Sequence, residues 1–211
     1  MNDNPKPLIV FDLGAVLIDW NPRYLYRELL DGDEQAIEYF LNEVCSPAWN
    51  IQQDAGRPFA EAIDGLIQQF PEHRELITAY FERWEDMLGG PIEDSVAILQ
   101  QIKALGFPVA ALSNWSAETF PVARRRYSFL NWFDELVISG HERVAKPDPG
   151  IYRILLARTG RAAEDCIFID DSPVNVEAAR DLGFTAIHFR SAGQLRQELH
   201  SMHQDLKLLF E

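Results

Sequence analysis

Short apolar runs in this 211-residue sequence end in side chains that can act as nucleophiles, acids or ligands for cations. The run LIVF is followed by Asp12, and the run CIFI is followed by two aspartates, Asp170 and Asp171. Carboxylates that converge on one point repel one another unless a cation or a proton lies between them. Three further polar residues follow other apolar runs or the loops next to them: Ser113, Asn114 and Lys146.

Each of these residue types suits a part of phosphoryl transfer. Asp12 and Asp171 offer oxygen ligands to Mg²⁺, which takes one or two carboxylates together with phosphate and water. Lys146 offers a positive charge to a phosphoryl group, and Ser113 with the N–H groups around Asn114 can hold phosphate oxygens. Asp12 can attack phosphorus and form an aspartyl phosphate that water then hydrolyses. Candidate catalytic residues are therefore Asp12, Ser113 and Lys146, and candidate substrate-binding residues are Ser113, Asn114 and Lys146.

The apolar runs that carry these residues are typical of buried parallel strands. Five such runs are present: PLIVFD, FPVAALS, DELVIS, CIFID and FTAIHF. Helical patterns separate most of them; one begins with Asp148 and Pro149 and stops at Gly160, which are typical first and last residues of a helix. This alternation predicts an α/β fold with a Rossmann-like parallel-sheet core. Because parallel strands end at one edge of the sheet, we expect the polar residues to meet there.

The region from Trp20 to Pro91 departs from this alternation, since no run in it is a convincing strand. Its apolar spacing predicts helices over 22–30, 34–44, 59–70 and 72–88. We therefore predict a catalytic core formed by residues 1–19 and 92–211, with a helical cap, 20–91, inserted after the first strand. Ligands of open α/β folds bind beyond the carboxyl ends of the strands, so we expect the cap to lie over the site.

Four motifs, in order along the chain, carry a resemblance to a known family: Asp12 in FDLGAVLID, Ser113 in LSN, Lys146 in KPDPGIY and Asp171 in FIDDSPVNVEAA. The whole chain resembles the haloacid dehalogenase (HAD) superfamily. It is most similar to phosphatase-like members whose helical cap follows the first motif, including small sugar-phosphate phosphatases. The resemblance implies hydrolysis of a small phosphorylated metabolite, with Asp12 as nucleophile and Mg²⁺ as cofactor. It also implies that Mg²⁺ is held by Asp12, Asp171 and the backbone carbonyl of Gly14.

Gly14 is a departure from that family, because most HAD phosphatases carry an aspartate there as general acid and base. A positioned general acid contributes ~10²–10⁴-fold to a rate. One interpretation is a slow enzyme, or one that uses water or another carboxylate such as Asp19. Another is a substrate with a good leaving group, such as an anomeric sugar phosphate or an acyl phosphate, and a third is no significant turnover. Some phosphatase-type members resemble this chain in having glycine there, which favours the first two.

Two other functions are alternatives to a phosphatase. In a 2-haloacid dehalogenase the aspartate attacks carbon and no metal is needed. The presence of Asp171 argues against that reaction, and so does Gly14, since such dehalogenases usually carry an aromatic residue at that position. The other alternative is a phospho-ligand-binding protein of low turnover, which would keep the pocket and lack the acid.

Tryptophans near the motifs and on the predicted cap are candidates for substrate contact, although tryptophan more often packs in a core or between domains. They are Trp20, Trp49 and Trp115. Further candidates on the cap are Arg23, Asn50 and Asp54.

Two residues near the fourth motif have several interpretations from the sequence. Asp170 either joins the metal site, holds Lys146 or hydrogen-bonds its own loop. Asn175 is either an ordinary residue of the following helix or a group that supports the site.

Composition limits the classes of partner. The formal net charge of −14 argues against nucleic acid, because phosphate backbones select for basic surfaces. No stretch approaches ~18 consecutive apolar residues, and the residues before Leu8 lack the apolar segment of a signal peptide. The two cysteines, Cys45 and Cys166, show no metal or redox spacing, as is usual for free thiols in a reducing compartment. We expect a cytoplasmic protein without a membrane partner; the sequence gives no indication of the oligomeric state.

Overall fold

The computed structural model describes residues 6–203 and 205–207. The strands are β1 (Leu8–Phe11), β2 (Ile18–Trp20), β3 (Leu88–Pro91), β4 (Val109–Ser113), β5 (Glu135–Ile138), β6 (Cys166–Asp170) and β7 (Thr185–His188). The helices are α1 (Arg23–Leu29), α2 (Glu34–Tyr39), α3 (Pro47–Asp54), α4 (Phe59–Gln69), α5 (Arg74–Glu82), α6 (Glu93–Ala104), α7 (Phe120–Arg126), α8 (Ser139–Glu142), α9 (Pro149–Thr159), α10 (Pro173–Asp181) and α11 (Ala192–Met202).

A five-stranded parallel sheet forms the centre of the molecule, with strand order β5-β4-β1-β6-β7. Every apolar run predicted to be a strand is one of these five, so the predicted α/β fold class with a Rossmann-like core is confirmed. The first strand lies in the middle, with β4 on one side and β6 on the other. The chain order reverses on either side of β1, and this is where open α/β sheets place their ligands.

Alternate side chains of β1 pack into two different hydrophobic clusters. Ile9 and Phe11 belong to a cluster that includes residues of α6 and α11. Leu8 and Val10 belong to a second cluster that includes residues of α9 and α10. Side chains of a strand alternate between its two faces, so both faces of the sheet are covered by helices, as the continuous apolar runs indicate.

The predicted ends of α9 are present. The side chain of Asp148 accepts a hydrogen bond from the backbone N–H of Gly150, and Gly160 ends the helix with a φ of 64°. At α10, the N-terminal residue Ser172 makes no capping hydrogen bond with its side chain. Its backbone N–H instead donates to Oδ1 of Asp170, at 2.8 Å, which ties the start of α10 to the end of β6.

The inserted region is mainly helical, but the prediction that it contains no strand is wrong. Strands β2 and β3 pair antiparallel, with Ile18 opposite Pro91. Two features concealed them: each has only three or four residues, and β3 contains Gly89, which is typical of a loop. A Cβ at Gly89 would lie 2.3 Å from Oδ2 of Asp19, so a larger residue there would displace the side chains of Asp19 and Tyr24.

The helix predicted over 72–88 is also wrong in extent. Only Arg74–Glu82 is α-helical; a 3₁₀ turn covers Trp84–Met87, and β3 begins at Leu88. Within the helix predicted over 34–44, α2 is followed by a π-helical turn over Phe40–Val44. The sequence analysis missed α3, although Ser46 caps it by accepting a hydrogen bond from the N–H of Trp49.

The bounds predicted for core and cap, 1–19 with 92–211 and 20–91, stay a prediction. Residues 1–5, 204 and 208–211 of the predicted core lie outside the described residues. At the other end of the insert, the N–H of Ile92 donates to the carbonyl of Leu17, at 2.8 Å. The β2–β3 ribbon is therefore where the chain leaves and rejoins the sheet. Within the part of the chain that the structure describes, no helix combines the length and apolar character needed to cross a bilayer.

Candidate active site

The carboxyl ends of three adjacent strands bring the predicted polar residues together. Asp12 directly follows β1, Ser113 is the last residue of β4, and Asp170 is the last residue of β6. Lys146 reaches the same edge from the loop that precedes α9. All four are nearly or completely buried, with exposures between 0% and 8%. We call Asp12, Ser113, Lys146 and Asp170 the strand-end cluster.

Lys146 is the cation of the strand-end cluster. Its Nζ lies 2.6 Å from Oδ2 of Asp170 and 3.0 Å from Oδ1 of Asp12, and it donates to the carbonyl of Leu112 at 2.8 Å. Burial opposes the charge on the lysine, but the two carboxylates outweigh it and raise the pKa of Lys146. The lysine is therefore charged at neutral pH and held in one position by three acceptors.

Among the described residues, only one of the two carboxylate oxygens of Asp12 has hydrogen-bond partners. Its Oδ1 accepts hydrogen bonds from the N–H of Leu13 at 2.8 Å and from Oγ of Ser113 at 2.7 Å, in addition to the ion pair with Lys146. Within the described residues, its other oxygen, Oδ2, has no hydrogen-bond partner. Burial raises the pKa of Asp12 to about 6; Lys146 and Ser113 act in the opposite direction, and the charge of Asp170 adds to the rise. One carboxylate oxygen is thus fixed while the other can react.

Asp170 has partners on both oxygens. Its Oδ2 pairs with Lys146, while Oδ1 accepts from the N–H of Ser172 at 2.8 Å and from Nδ2 of Asn175 at 3.1 Å. Of the interpretations left open by the sequence, these contacts support two: Asp170 holds Lys146, and it accepts a hydrogen bond from its own loop. Asn175 is buried and supports Asp170 directly, which fits the reading of this residue as a supporting group.

Asp171 is the exposed member of an acidic group. One carboxylate oxygen each from Asp12, Asp170 and Asp171 lie within 4.8 Å of one another. Burial raises the pKa of Asp171, and the neighbouring charge of Asp170 raises it further. Only Lys146 neutralises these carboxylates by ion pairing within the described residues. The remaining negative charge and the oxygen-rich donor set fit a divalent cation such as Mg²⁺.

Asn114 uses its side chain on the backbone of Lys146. Its Nδ2 donates to the Lys146 carbonyl at 2.9 Å, and its Oδ1 accepts from the Lys146 N–H at 2.8 Å. The peptide bond between Lys146 and Pro147 is cis. Asn114 therefore fixes the loop that carries the lysine, and its side chain also borders the cavity described next.

A cavity opens between the sheet edge and the inserted helices. Aromatic side chains make up much of its wall, with a few polar groups among them. We call it the aromatic cavity; it is lined by Gly14, Trp20, Asn50, Asp54, Phe59, Trp84, Asn114, Trp115 and Thr119. An apolar cavity with a few convergent polar groups is typical of a small-molecule site.

The tryptophans predicted to contact substrate differ in position. Trp20 and Trp115 line the aromatic cavity. Trp49 does not; it is 7% exposed and packs edge-on against Tyr80, with ring centroids 5.1 Å apart. Sequence reasoning missed Trp84, which lines the cavity and packs against Trp115 at 5.6 Å. A tryptophan in a helical insert carries no spacing signal that distinguishes wall from core.

The other candidate residues on the insert also differ in whether they line the aromatic cavity. Asn50 and Asp54 line the aromatic cavity. Arg23 forms a two-point ion pair with Glu38, with Nε 2.6 Å from Oε1. Asp19 lies on β2, where its Oδ2 accepts a hydrogen bond from the hydroxyl of Tyr24 at 2.6 Å; it is not part of the cavity wall.

Comparison with known proteins agrees with this geometry. The family model of haloacid dehalogenase-like hydrolases matches residues 7–183. The chain belongs to this family. It is a HAD-like hydrolase, and the resemblance seen in the four sequence motifs is confirmed.

The relatives of this HAD-like hydrolase include both phosphatases and dehalogenases. The chain is 25% identical over 193 residues to a sesquiterpene phosphatase of Aspergillus oryzae, covering 92% of this chain and 94% of that one. It is 23% identical over 187 residues to a phosphorylated carbohydrates phosphatase of Thermotoga maritima, covering 85% and 83%. It is 30% identical over 121 residues to an (S)-2-haloacid dehalogenase of Pseudomonas fluorescens, covering 57% of this chain and half of that one.

A solved structure shares the fold of the hydrolase. It is a HAD family enzyme of Bacteroides thetaiotaomicron in complex with magnesium and inorganic phosphate. The TM-score is 0.67 at 21% identity, over 89% of this chain and 96% of that one. At this identity the likeness concerns the fold alone.

Proposed function

We propose that the protein is a Mg²⁺-dependent phosphatase that hydrolyses a small phosphorylated metabolite through an aspartyl phosphate on Asp12. A sugar phosphate is one candidate substrate. The observation that carries the proposal is the strand-end cluster, in which Ser113 and Lys146 hold one oxygen of Asp12 and leave the other without a partner among the described residues. The phosphatases among the relatives support the same reaction class.

In the first step, Oδ2 of Asp12 attacks phosphorus while the bond from phosphorus to the leaving oxygen breaks, and that oxygen takes up a proton. In the second step, water attacks the phosphorus of the aspartyl phosphate. The bond between phosphorus and Oδ2 breaks, a proton leaves the water, and inorganic phosphate is released. Splitting the reaction in this way replaces one difficult displacement with two easier ones.

Residues of the strand-end cluster stabilise the charge that moves during these steps. Lys146, charged and fixed by Asp170 and Leu112, faces the phosphoryl oxygens with a positive charge that needs no reorganisation during reaction. Ser113 holds Oδ1 of Asp12 and thereby orients the attacking carboxylate. The strand-end cluster is itself almost completely buried, which strengthens each of these electrostatic interactions.

Magnesium would be held by the carboxylates of Asp12 and Asp171 and by the backbone carbonyl of Gly14. The fit rests on the donor set: three carboxylates that approach within 4.8 Å, one of them exposed, with a single lysine to offset them among the described residues. When bound, the ion would shield an anionic phosphate from these carboxylates and polarise its oxygens.

The test is a panel of phosphomonoesters assayed with Mg²⁺ and with chelator. We expect turnover that requires Mg²⁺ and is lost in Asp12→Asn, because the amide cannot attack phosphorus. A matched control is Asp134→Asn, an exposed carboxylate that pairs with Lys103 and lies at the start of β4, the opposite end of the strand from Ser113. Turnover that persists with chelator or in Asp12→Asn contradicts the mechanism.

The second candidate is a 2-haloacid dehalogenase, because the relative from Pseudomonas fluorescens is an enzyme of that kind. The acidic group argues against it, because Asp171 has no task in a reaction without a metal. Release of chloride from 2-chloropropionate would favour the dehalogenase. A third outcome, thermal stabilisation by phosphate esters without hydrolysis of any, would favour a phospho-ligand-binding protein.

A further inference from the structure

Gly14 provides no proton for the leaving oxygen, yet the aromatic cavity that it borders contains a carboxyl group. This is Asp54, the last residue of α3. Departure of an alcohol from phosphorus needs a proton unless the alcohol is unusually acidic. The structure therefore raises the question of whether Asp54 is placed and protonated so that it can supply one.

Asp54 is fixed to the core, although α3 belongs to the insert. Its backbone carbonyl accepts a hydrogen bond from the hydroxyl of Ser139, which in turn accepts from the N–H of Trp115 at 2.9 Å. The backbone N–H of Ser116, in the loop that follows Ser113 at the end of β4, lies near the carboxylate and lowers the pKa of Asp54. These contacts hold the carboxylate beside the loop that carries the candidate phosphate-binding residues.

Inside the insert, a second set of contacts orients the same carboxyl group. Asn50 donates from Nδ2 to Oδ2 of Asp54 at 2.9 Å. Asn50 is itself oriented by the hydroxyl of Tyr80, which donates to its Oδ1 at 3.0 Å. The backbone of Asp54 is thus held from the core by Ser139 and its carboxylate from the insert by Asn50, as a group must be if it is to meet a reacting atom in one position.

The surroundings of Asp54 favour its protonated form. Burial raises the pKa of Asp54 to about 7; the N–H of Ser116 lowers it, and the charge of Asp12 raises it. The groups facing it are Asp12 from the end of β1, Asn50 from its own helix and Tyr80 from α5. Among the described residues, no lysine or arginine forms an ion pair with Asp54. Near neutral pH a substantial fraction of the molecules therefore carries the proton.

We propose that Asp54 is the general acid and base of this enzyme, in place of the side chain that Gly14 lacks. As the phosphorus–oxygen bond breaks, the carboxyl group of Asp54 gives its proton to the leaving alcohol oxygen and becomes a carboxylate. That carboxylate then accepts a proton from the water that attacks the aspartyl phosphate, which returns Asp54 to its starting form. The inference rests on the proposed phosphatase function and assigns the handling of the leaving group to the insert.

The test compares benzyl phosphate with p-nitrophenyl phosphate, esters of similar size whose alcohols differ strongly in acidity. We expect Asp54→Asn to lower kcat/KM ~10²–10⁴-fold for benzyl phosphate and less than ~10-fold for p-nitrophenyl phosphate, whose leaving group departs without a proton. kcat/KM reports only the steps up to release of the alcohol, so loss of the base in the later step, which both esters share, does not affect the comparison. A purely structural role would lower both rates by the same factor, and that result overturns the inference.

The matched control is Asp19→Asn, because Asp19 is also a carboxylate near the first motif but lies outside the cavity wall. We expect it to keep the wild-type ratio of the two rates. A loss confined to benzyl phosphate in Asp19→Asn, with Asp54→Asn unchanged, would assign the acid to Asp19 and overturn the inference.

A second measurement needs no variant and covers the case in which Asp54→Asn does not fold. In the wild-type enzyme, kcat/KM for benzyl phosphate should fall relative to kcat/KM for p-nitrophenyl phosphate as the pH rises above about 7, the pKa of Asp54. Parallel pH profiles for the two esters overturn the role of Asp54. Failure of the proposed function has a different signature: no hydrolysis of either ester, or hydrolysis that survives in Asp12→Asn.

Discussion

The strand-end cluster and the aromatic cavity share an edge of the sheet but are built on different principles. In the cluster, Lys146 and Asp170 are almost completely buried and each makes two or more polar contacts. In the cavity, rings such as Trp84 and Trp115 face a space with few polar groups. The difference agrees with the proposed function, in which the cluster fixes charges for attack on phosphorus and the cavity accepts the part of the substrate that varies.

The two regions also tolerate substitution differently. A buried ion pair that loses one member leaves an uncompensated charge, which is strongly destabilising. A ring in a cavity wall contributes through contact area, so its loss changes affinity more gradually.

Lys146→Met should give the largest loss. It leaves Asp12 and Asp170 buried without a cation, so we expect the free energy of unfolding to fall by ~3–5 kcal/mol and phosphatase turnover to fall at least ~10³-fold. Urea unfolding and kcat measure the two effects. Adding Asp170→Asn should recover part of the stability and none of the activity; recovery of neither would contradict the charge-cluster interpretation.

Asp54→Asn should change how stability depends on pH. Because the pKa of Asp54 is raised from 3.8 to about 7 in the folded protein, ionisation of this group weakens the native state as the pH rises through that range. The variant lacks this loss, so its stability relative to wild type should improve by on the order of 2 kcal/mol between pH 5 and pH 8. A difference that stays constant with pH, measured by urea unfolding at both values, would contradict the raised pKa.

Gly140→Ala tests the contact between α8 and the loop after β4. An added Cβ would lie 2.3 Å from the backbone nitrogen of Ala117, so the loop must shift, and we expect a loss of ~1–3 kcal/mol. Gly14→Ala is the matched control, because no atom lies within 4 Å of a Cβ there. Its expected change in stability is below ~1 kcal/mol. Equal losses in thermal unfolding of the two variants would count against the close approach.

Trp84→Leu should have the smallest effect, a change in selectivity between large and small substrates. Removing ring area from the aromatic cavity should lower kcat/KM for a bulky phosphate ester by ~1–2 kcal/mol, about tenfold, and leave a small acyl phosphate nearly unaffected. Trp49→Leu is the control, since Trp49 packs against Tyr80 away from the cavity wall. It should lower stability without changing the ratio of the two rates. The same change in that ratio for both variants would show that the wall is not selective.

Much of the core could be predicted because its signals are local. An apolar run such as LIVF predicts a strand, and the residue that follows it, Asp12, is the group at the end of that strand. Parallel pairing then brings the strand ends to one edge, so Ser113, Lys146 and Asp170 could be placed together before the structure was known. The predicted five strands are all present, and the resemblance to the HAD superfamily is confirmed.

The insert was predicted less well because its organisation depends on contacts between distant residues. Pairing of Ile18 with Pro91 makes β2 and β3 strands, and neither segment is long enough to indicate this alone. Trp84 lies in the 3₁₀ turn that precedes β3, and only the folded structure shows that it lines the cavity. Trp49, with an equally plausible position in the sequence, packs in the interior of the insert instead.

The fold class and the order of the strand-end groups follow from local patterns in the sequence. The absence of a carboxyl side chain at Gly14 follows from the identity of that residue. It took the folded chain to show which carboxyl group shares a cavity wall with Gly14. Asp54 is 42 residues away from Asp12 by number, and burial raises its pKa. Desolvation and long-range contact are properties of the folded chain, which is why no spacing in the sequence distinguishes Asp54 from a solvated aspartate.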